Sequence, residues 1–346
     1  MKNIGLYLYV LIVLHLVSCA QKETVEVPLV YHPSFPIDVE VKMEKIPISP
    51  ETKSTWELYV VGNRMLLSTS EMDNSDDKYA MFNYPEMEFI GYVGSRSEFA
   101  RGTIVTHGKD EFFLKHNEGV EIYQLVADTL QKISSLELKS GDYPAMRRLD
   151  ENRWIYENDI RTEDLYDFYM YNSSNHSIRG CGVYPNVQDR YQFKDVKAFK
   201  GAYMHGVRVK PDGNRVLVFY NATRRYRIYD NEGTLLYDGM MDYSNPSSAL
   251  LVSSNRNQLV WHYESAFVTD KYIYLLCMDR VMSSNSYNNP SIQVMDWEGN
   301  PVARFRLDAY ITAFYVDEDK SKFYGVSATN PGFVFTFDIG SFFNKV

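Results

Sequence analysis

One pattern recurs along this chain and constrains its fold more than anything else. An apolar strand and a turn are followed by a second strand closing on Asp, then two variable positions, a Gly and a further apolar strand. Val216–Tyr220 leads to Arg227-Ile228-Tyr229-Asp230-Asn231-Glu232-Gly233 and on to Thr234–Tyr237. Tyr272–Leu276 leads to Gln293-Val294-Met295-Asp296-Trp297-Glu298-Gly299 and on to Pro301–Phe305. Looser copies run from Tyr79–Asn83 into Glu88–Gly91 and from Lys322–Val326 into Val334–Asp338. Such a unit reads as strands two, three and four of a propeller blade. A blade buries its faces only against neighbouring blades, so the repeats must close into a ring.

The rest of the chain supports an all-β reading. Short strands are expected at 56–61, 64–68, 79–84, 112–115, 120–125, 153–157, 167–171, 216–220, 225–229, 272–277, 291–295 and 333–337. Turn chemistry such as Gly62-Asn63 and Asp212-Gly213-Asn214 separates them. No amphipathic helix of three turns stands out. The 28 Tyr and 19 Phe suit half-buried sheet faces. We expect a single six-bladed β-propeller over 46–346, averaging ~50 residues per blade; seven blades of ~43 are the alternative. The blades are expected near 50–95, 96–138, 139–190, 191–240, 241–308 and 309–346. The alternating segment Val39–Ile48 is read as the outer strand that completes the last blade.

The N-terminus gives an address. Lys2, the apolar run Ile4–Val17 and Leu16-Val17-Ser18-Cys19 follow the order of a lipoprotein signal: charge, greasy segment, small residue, cysteine. That run is too short for a membrane span, which needs ~20 apolar residues. We read 1–18 as a signal peptide, Cys19 as the lipidated residue and 19–45 as a tether. The chain would then sit on the outer membrane through its lipid, facing the periplasm or the cell surface.

Charge excludes one class of partner. The net charge is −9, one unit more negative once Lys2 is removed, and no Lys/Arg cluster offers a nucleic-acid surface. Cys181 and Cys277 fit either one disulfide or two buried thiols, and we prefer the thiols.

Gly91-Tyr92-Val93-Gly94-Ser95-Arg96-Ser97-Glu98-Phe99, with the leader and the blade count, resembles the TolB-like six-bladed propeller lipoproteins of Bacteroidetes. Gly91, Gly94, Glu98 and Phe99 match that family's Gly-x-x-Gly-x-Gly-Pro-x-Glu-Phe segment, while Arg96 and Ser97 depart from it. The resemblance implies a fold and an address but carries no reaction.

Chemistry is sparse. His107, His205 and His262 fall near expected innermost strands, where neutral imidazoles lining one channel can ligate a metal. Scattered, separately bonded histidines are the reading we prefer, so no metal or cofactor is assigned. Tyr203, Trp261 and Tyr263 beside these histidines offer aromatic surface for a ligand at the channel, against a packing role between blades. The acidic run Asp73, Asp76, Asp77 reads as a solvated hairpin tip, and Glu157, Asp159, Glu163, Asp164 and Asp167 as solvated charge. There is no Gly-x-Ser-x-Gly elbow, P-loop or dinucleotide fingerprint. The expected function is a non-catalytic envelope module binding a protein, peptide or glycan. The alternative is a metal-dependent hydrolase or lyase with its site in the channel.

Overall fold

The computed structural model describes residues 27–49, 56–69, 77–95, 104–107, 111–116, 119–137, 146–158, 162–241, 259–281 and 288–343. Cys19 with its leader, Asp73 and Asp76 of the acidic run, Arg96–Phe99 and Asp159 lie outside them.

Three strands precede the repeats: β1 (Leu29–His32), β2 (Ile37–Val41) and β3 (Glu44–Pro47). Five four-stranded meanders and a three-stranded one follow among the described residues. Blade one holds β4 (Leu58–Val61), β5 (Arg64–Ser68), β6 (Asp77–Asn83) and β7 (Phe89–Ser95). Blade two holds β8 (Ile104–His107), β9 (Glu111–His116), β10 (Gly119–Val126) and β11 (Thr129–Glu137). Blade three holds β12 (Arg147–Arg148), β13 (Arg153–Glu157), β14 (Phe168–Asn172) and β15 (Ser177–Cys181). Blade four holds β16 (His205–Val209), β17 (Arg215–Tyr220), β18 (Arg225–Asp230) and β19 (Leu235–Met241). Blade five holds β20 (Val260–Val268), β21 (Tyr272–Val281), β22 (Ser291–Asp296) and β23 (Pro301–Leu307). Blade six holds β24 (Ala313–Asp317), β25 (Lys322–Val326) and β26 (Phe333–Asp338), with β3 antiparallel to β26 as its fourth strand. The fold is therefore the expected all-β six-bladed propeller, and its blade limits follow those read from the repeat.

Packing shows why the ring closes. The described residues form six hydrophobic clusters, one at each junction between adjacent blades. In β17 the period-two alternation sends Val216, Val218 and Tyr220 against blade three, and Leu217 and Phe219 against blade five. Both faces of a blade are thus core, so no blade is stable without two neighbours. The last junction packs Tyr324, Val326 and Val334 of blade six on Leu58, Met65 and Phe82 of blade one.

The N-terminal strands correct the tether reading. Only β3 completes the last blade; β2, also within the segment assigned to that role, pairs in parallel with β23 as a fifth strand of blade five. β1 does the same on β19 of blade four. Between them Phe35 is buried in the cluster joining blades four and five. From Leu29 onward the segment belongs to the propeller, stitched across the rims of three successive blades.

The two Asp-x-x-Gly turns form as their residues dictate. The Asp230 carboxylate accepts the amides of Glu232 and Thr234, and that of Asp296 accepts those of Glu298 and Asn300. Gly233 and Gly299 take φ of 74° and 91°, which other residues rarely adopt. Between blades three and four one short helix, α1 (Val196–Ala202), buries Phe199 and Ala202 and is capped by the Asp195 side chain on the Ala198 amide.

Candidate functional site

The antiparallel registers bring the start of each blade's inner strand to the same face as the end of its second strand. His205 pairs with Tyr220 and Trp261 with Arg280 on that face. Three arrangements of polar groups lie there or in the channel below.

The first joins blades three and four. Asp167, which immediately precedes β14, is fully buried. It accepts the Tyr220 hydroxyl at 2.8 Å, the Tyr229 hydroxyl, and Arg227 Nη1 at 2.9 Å. Arg227 and Arg225 converge on buried Asp238, with Nε at 2.9 and 2.7 Å. The expectation that Asp167 is solvated charge is overturned, because two phenols and a guanidinium replace its water. Glu163 and Asp164 are exposed as expected; Glu157 is paired with Arg147 at 3.3 Å.

His205 belongs to this network. Its ring is buried, with Nδ1 3.0 Å from the Tyr203 carbonyl and Nε2 2.5 Å from that of Asp167. Both ring nitrogens thus face backbone carbonyls of the protein's own interior. Tyr203 packs against Phe199 and Tyr220.

The second arrangement is in blade five. His262 Nδ1 lies 2.5 Å from Asp279 Oδ1, and Cys277 Sγ lies 3.3 Å from the same oxygen. Arg224 of blade four approaches it at 3.0 Å. Burial by itself would raise the Asp279 carboxyl. The His262 hydrogen bond and the Arg224 charge outweigh it and hold the group well below the usual carboxylate range. Register breaks between Trp261 and Ser265 and a left-handed Asp279, φ 45°, aim these side chains at one another. Cys277 and Cys181 are both buried thiols outside any disulfide, as preferred from sequence. Tyr263 is fully buried, its hydroxyl bonded to Gln293, and packs between blades four and five. Trp261 packs on the core between blades five and six.

Next to this group a pocket of about 430 Å³ is lined by Cys277, Asp279, Asn289, Arg304, Arg306 and Asp308, among others. A second, of about 410 Å³, shares Asn289 and Asp308 with it and reaches Lys45, Tyr310 and Asn330 of blade six. The two pockets adjoin at those shared residues, over blades five and six.

The third arrangement is on the inner strands. Tyr59 of β4, Arg147 of β12 and Arg208 of β16 lie within electrostatic range of one another. Burial, with the like charge of Arg147, pushes the Arg208 guanidinium below its ordinary value.

The predicted site residues therefore divide. His205 and His262 sit on inner strands of different blades and bond different partners. Trp261, His262 and Tyr263 are consecutive in β20, but Tyr263 points into a core. His107 ends β8, and its side chain lies outside the described residues. Sequence reading missed Asp279, Arg304, Arg306 and Asp308. Cys277-Met278-Asp279 did carry a signal, a thiol and a carboxylate two positions apart on a strand.

Comparisons with known proteins agree with this architecture. No curated protein matches the chain. A member of the DUF4221 family from Bacteroides vulgatus superposes with a TM-score of 0.59 at 10% identity, covering 86% of this chain and 96% of its own. A Bacteroides fragilis protein described as exported gives 0.50 at 9% identity, covering 90% and 99%. The family described as TolB-like 6-blade propeller-like matches residues 60–319, and the chain belongs to that family.

Proposed function

We propose that this chain is a non-catalytic binding module of the cell envelope that takes a polar peptide or glycan segment in the groove over blades five and six. The observation that carries the reading is the pair of joined pockets of about 430 and 410 Å³, bordered by Arg304, Arg306 and Asp308. Mixed charge with peripheral apolar surface suits a ligand rich in hydrogen-bonding groups. Asp279, which lines the first pocket, is already engaged by His262 and Arg224. The envelope address rests on the lipoprotein-type leader ending at Cys19, on the family, and on a structural neighbour described as exported. No helix among the described residues is long and apolar enough to cross a membrane.

Glycan and peptide arrays probed with the purified protein test this. A bound class whose affinity falls tenfold or more in Arg306→Ala and Asn289→Ala supports the groove. Binding that ignores both changes places the ligand elsewhere, and turnover of an arrayed glycan overturns the non-catalytic reading.

A further inference from the structure

We propose that His262, Cys277 and Asp279 form a mononuclear site for a divalent transition metal, Zn²⁺ in the first instance, opening into the pocket of blade five. One donor atom from each residue lies within 4.8 Å of the other two. Four-coordinate zinc, with bonds of about 2.0–2.3 Å to N, O and S, sets its ligand atoms about 3.3–3.8 Å apart. The Cys277–Asp279 distance of 3.3 Å already meets that spacing. The His262–Asp279 contact of 2.5 Å needs to open by about 1 Å. The ion then lies between the two groups, the imidazole proton leaves Nδ1, and the Cys277 thiol proton is released to solvent as the thiolate forms. Imidazole, thiolate and carboxylate form a borderline-soft donor set that suits zinc over magnesium or calcium.

Two further features fit, and one opposes. The site is assembled by irregular backbone, a bulged β20 facing a left-handed Asp279, whereas regular pairing would separate these side chains. Cys277 and Asp279 line the 430 Å³ pocket, which gives the ion an entry path and leaves room for water as fourth ligand. An ion bound through Asp279 Oδ1 shares that oxygen with the Arg224 guanidinium, which lies 3.0 and 3.1 Å from it. Its positive charge also weakens cation binding, so the affinity falls short of that of a structural zinc finger. Cys277 and Asp279 line the same pocket as the proposed groove, but the metal site does not rest on that ligand and is tested with the metal alone.

Co²⁺ serves as an optical probe of the purified full-length protein, with Zn²⁺ as competitor. The expected result is one equivalent of Co²⁺ with tetrahedral d–d bands and a thiolate-to-cobalt charge-transfer band, all displaced by Zn²⁺. Cys277→Ser removes the charge-transfer band, and Cys181→Ser, in another blade, leaves it intact. Asp279→Asn weakens binding more than the roughly 10–100-fold that outer-partner changes cost. X-ray absorption of the zinc-loaded wild type, showing one sulfur ligand with nitrogen and oxygen, gives an answer even where Cys277→Ser fails to fold. Absence of a sulfur ligand, or a charge-transfer band unchanged in Cys277→Ser, overturns the proposal.

Discussion

Arg227 of blade four places Nη1 2.9 Å from Oδ2 of Asp167 in blade three, and Asp167 has no exposure to solvent. Two blades that meet elsewhere through apolar side chains are thus locked at their rim by charge. Removing one partner of a buried pair leaves the other charged and desolvated, which costs about 3–5 kcal/mol. Asp238 still compensates part of the Arg227 charge, so Asp167→Asn is expected toward the lower end of that range. Urea unfolding measures it. In a double-mutant cycle with Arg227→Met, the two losses should fall short of additivity by on the order of 0.5–3 kcal/mol; additive losses would show that the contact carries no coupling.

The N-terminal strands give a second expectation. Phe35 is buried in the cluster that also holds Leu217, Tyr226 and Ile273, although it lies in a stretch that reads as linker. Phe35→Ala should cost about 3–5 kcal/mol, the usual range for a core aromatic. A change below about 0.5 kcal/mol, typical of a surface position, would return this segment to the status of a tether.

A third concerns Gly182, at φ 66° just after β15. A Cβ there would stand 2.5 Å from the Tyr229 hydroxyl and 3.0 Å from Asp167 Oδ2. Gly182→Ala therefore combines backbone strain with a collision in the buried network, and at least about 2 kcal/mol of destabilisation is expected. The same substitution at Gly91, where nothing lies within 4 Å, is the control and should be near neutral.

What the sequence revealed and what it hid divide along physical lines. Strands β5 and β13 begin and end where alternation and turn residues place them, and the Asp230 and Asp296 turns form from contacts four residues long or shorter. These features are local, so local reading finds them. β1 pairs with β19 about 200 residues away, and no local pattern specifies a parallel edge partner at that distance. Asp167 looks like one more carboxylate in an acidic stretch; only the approach of Tyr220, Tyr229 and Arg227 from the next blade makes it a buried anion. The trio of His262, Cys277 and Asp279 depends on a bulge and one left-handed residue, neither of which has a sequence signature here. Blade count and order are therefore legible, whereas the chemistry at the junctions is written by tertiary contact.

Ring closure supplies a pH-dependent prediction. The Tyr84 hydroxyl of blade one donates to Asp317 Oδ2 of blade six at 2.5 Å, across the last junction. Burial would raise the Asp317 carboxyl, but the Tyr84 hydroxyl and both the amide and the ammonium of Lys320 outweigh it and hold it below its usual value of 3.8. The folded state thus binds this proton less readily than the unfolded chain. Asp317 contributes its full stabilisation above the unfolded value of about 3.9 and loses it as pH falls through the lower folded value. Asp317→Asn should accordingly be less stable than wild type at pH 6, and the gap should narrow as pH drops from about 4 toward about 2. Tyr84→Phe removes the donor and should shift the onset of acid destabilisation toward the ordinary carboxylate range. Parallel urea midpoints of the three proteins across this range decide the matter. A wild-type–Asn gap that stays constant with pH would mean that the Asp317 charge plays no part in holding the first blade to the last.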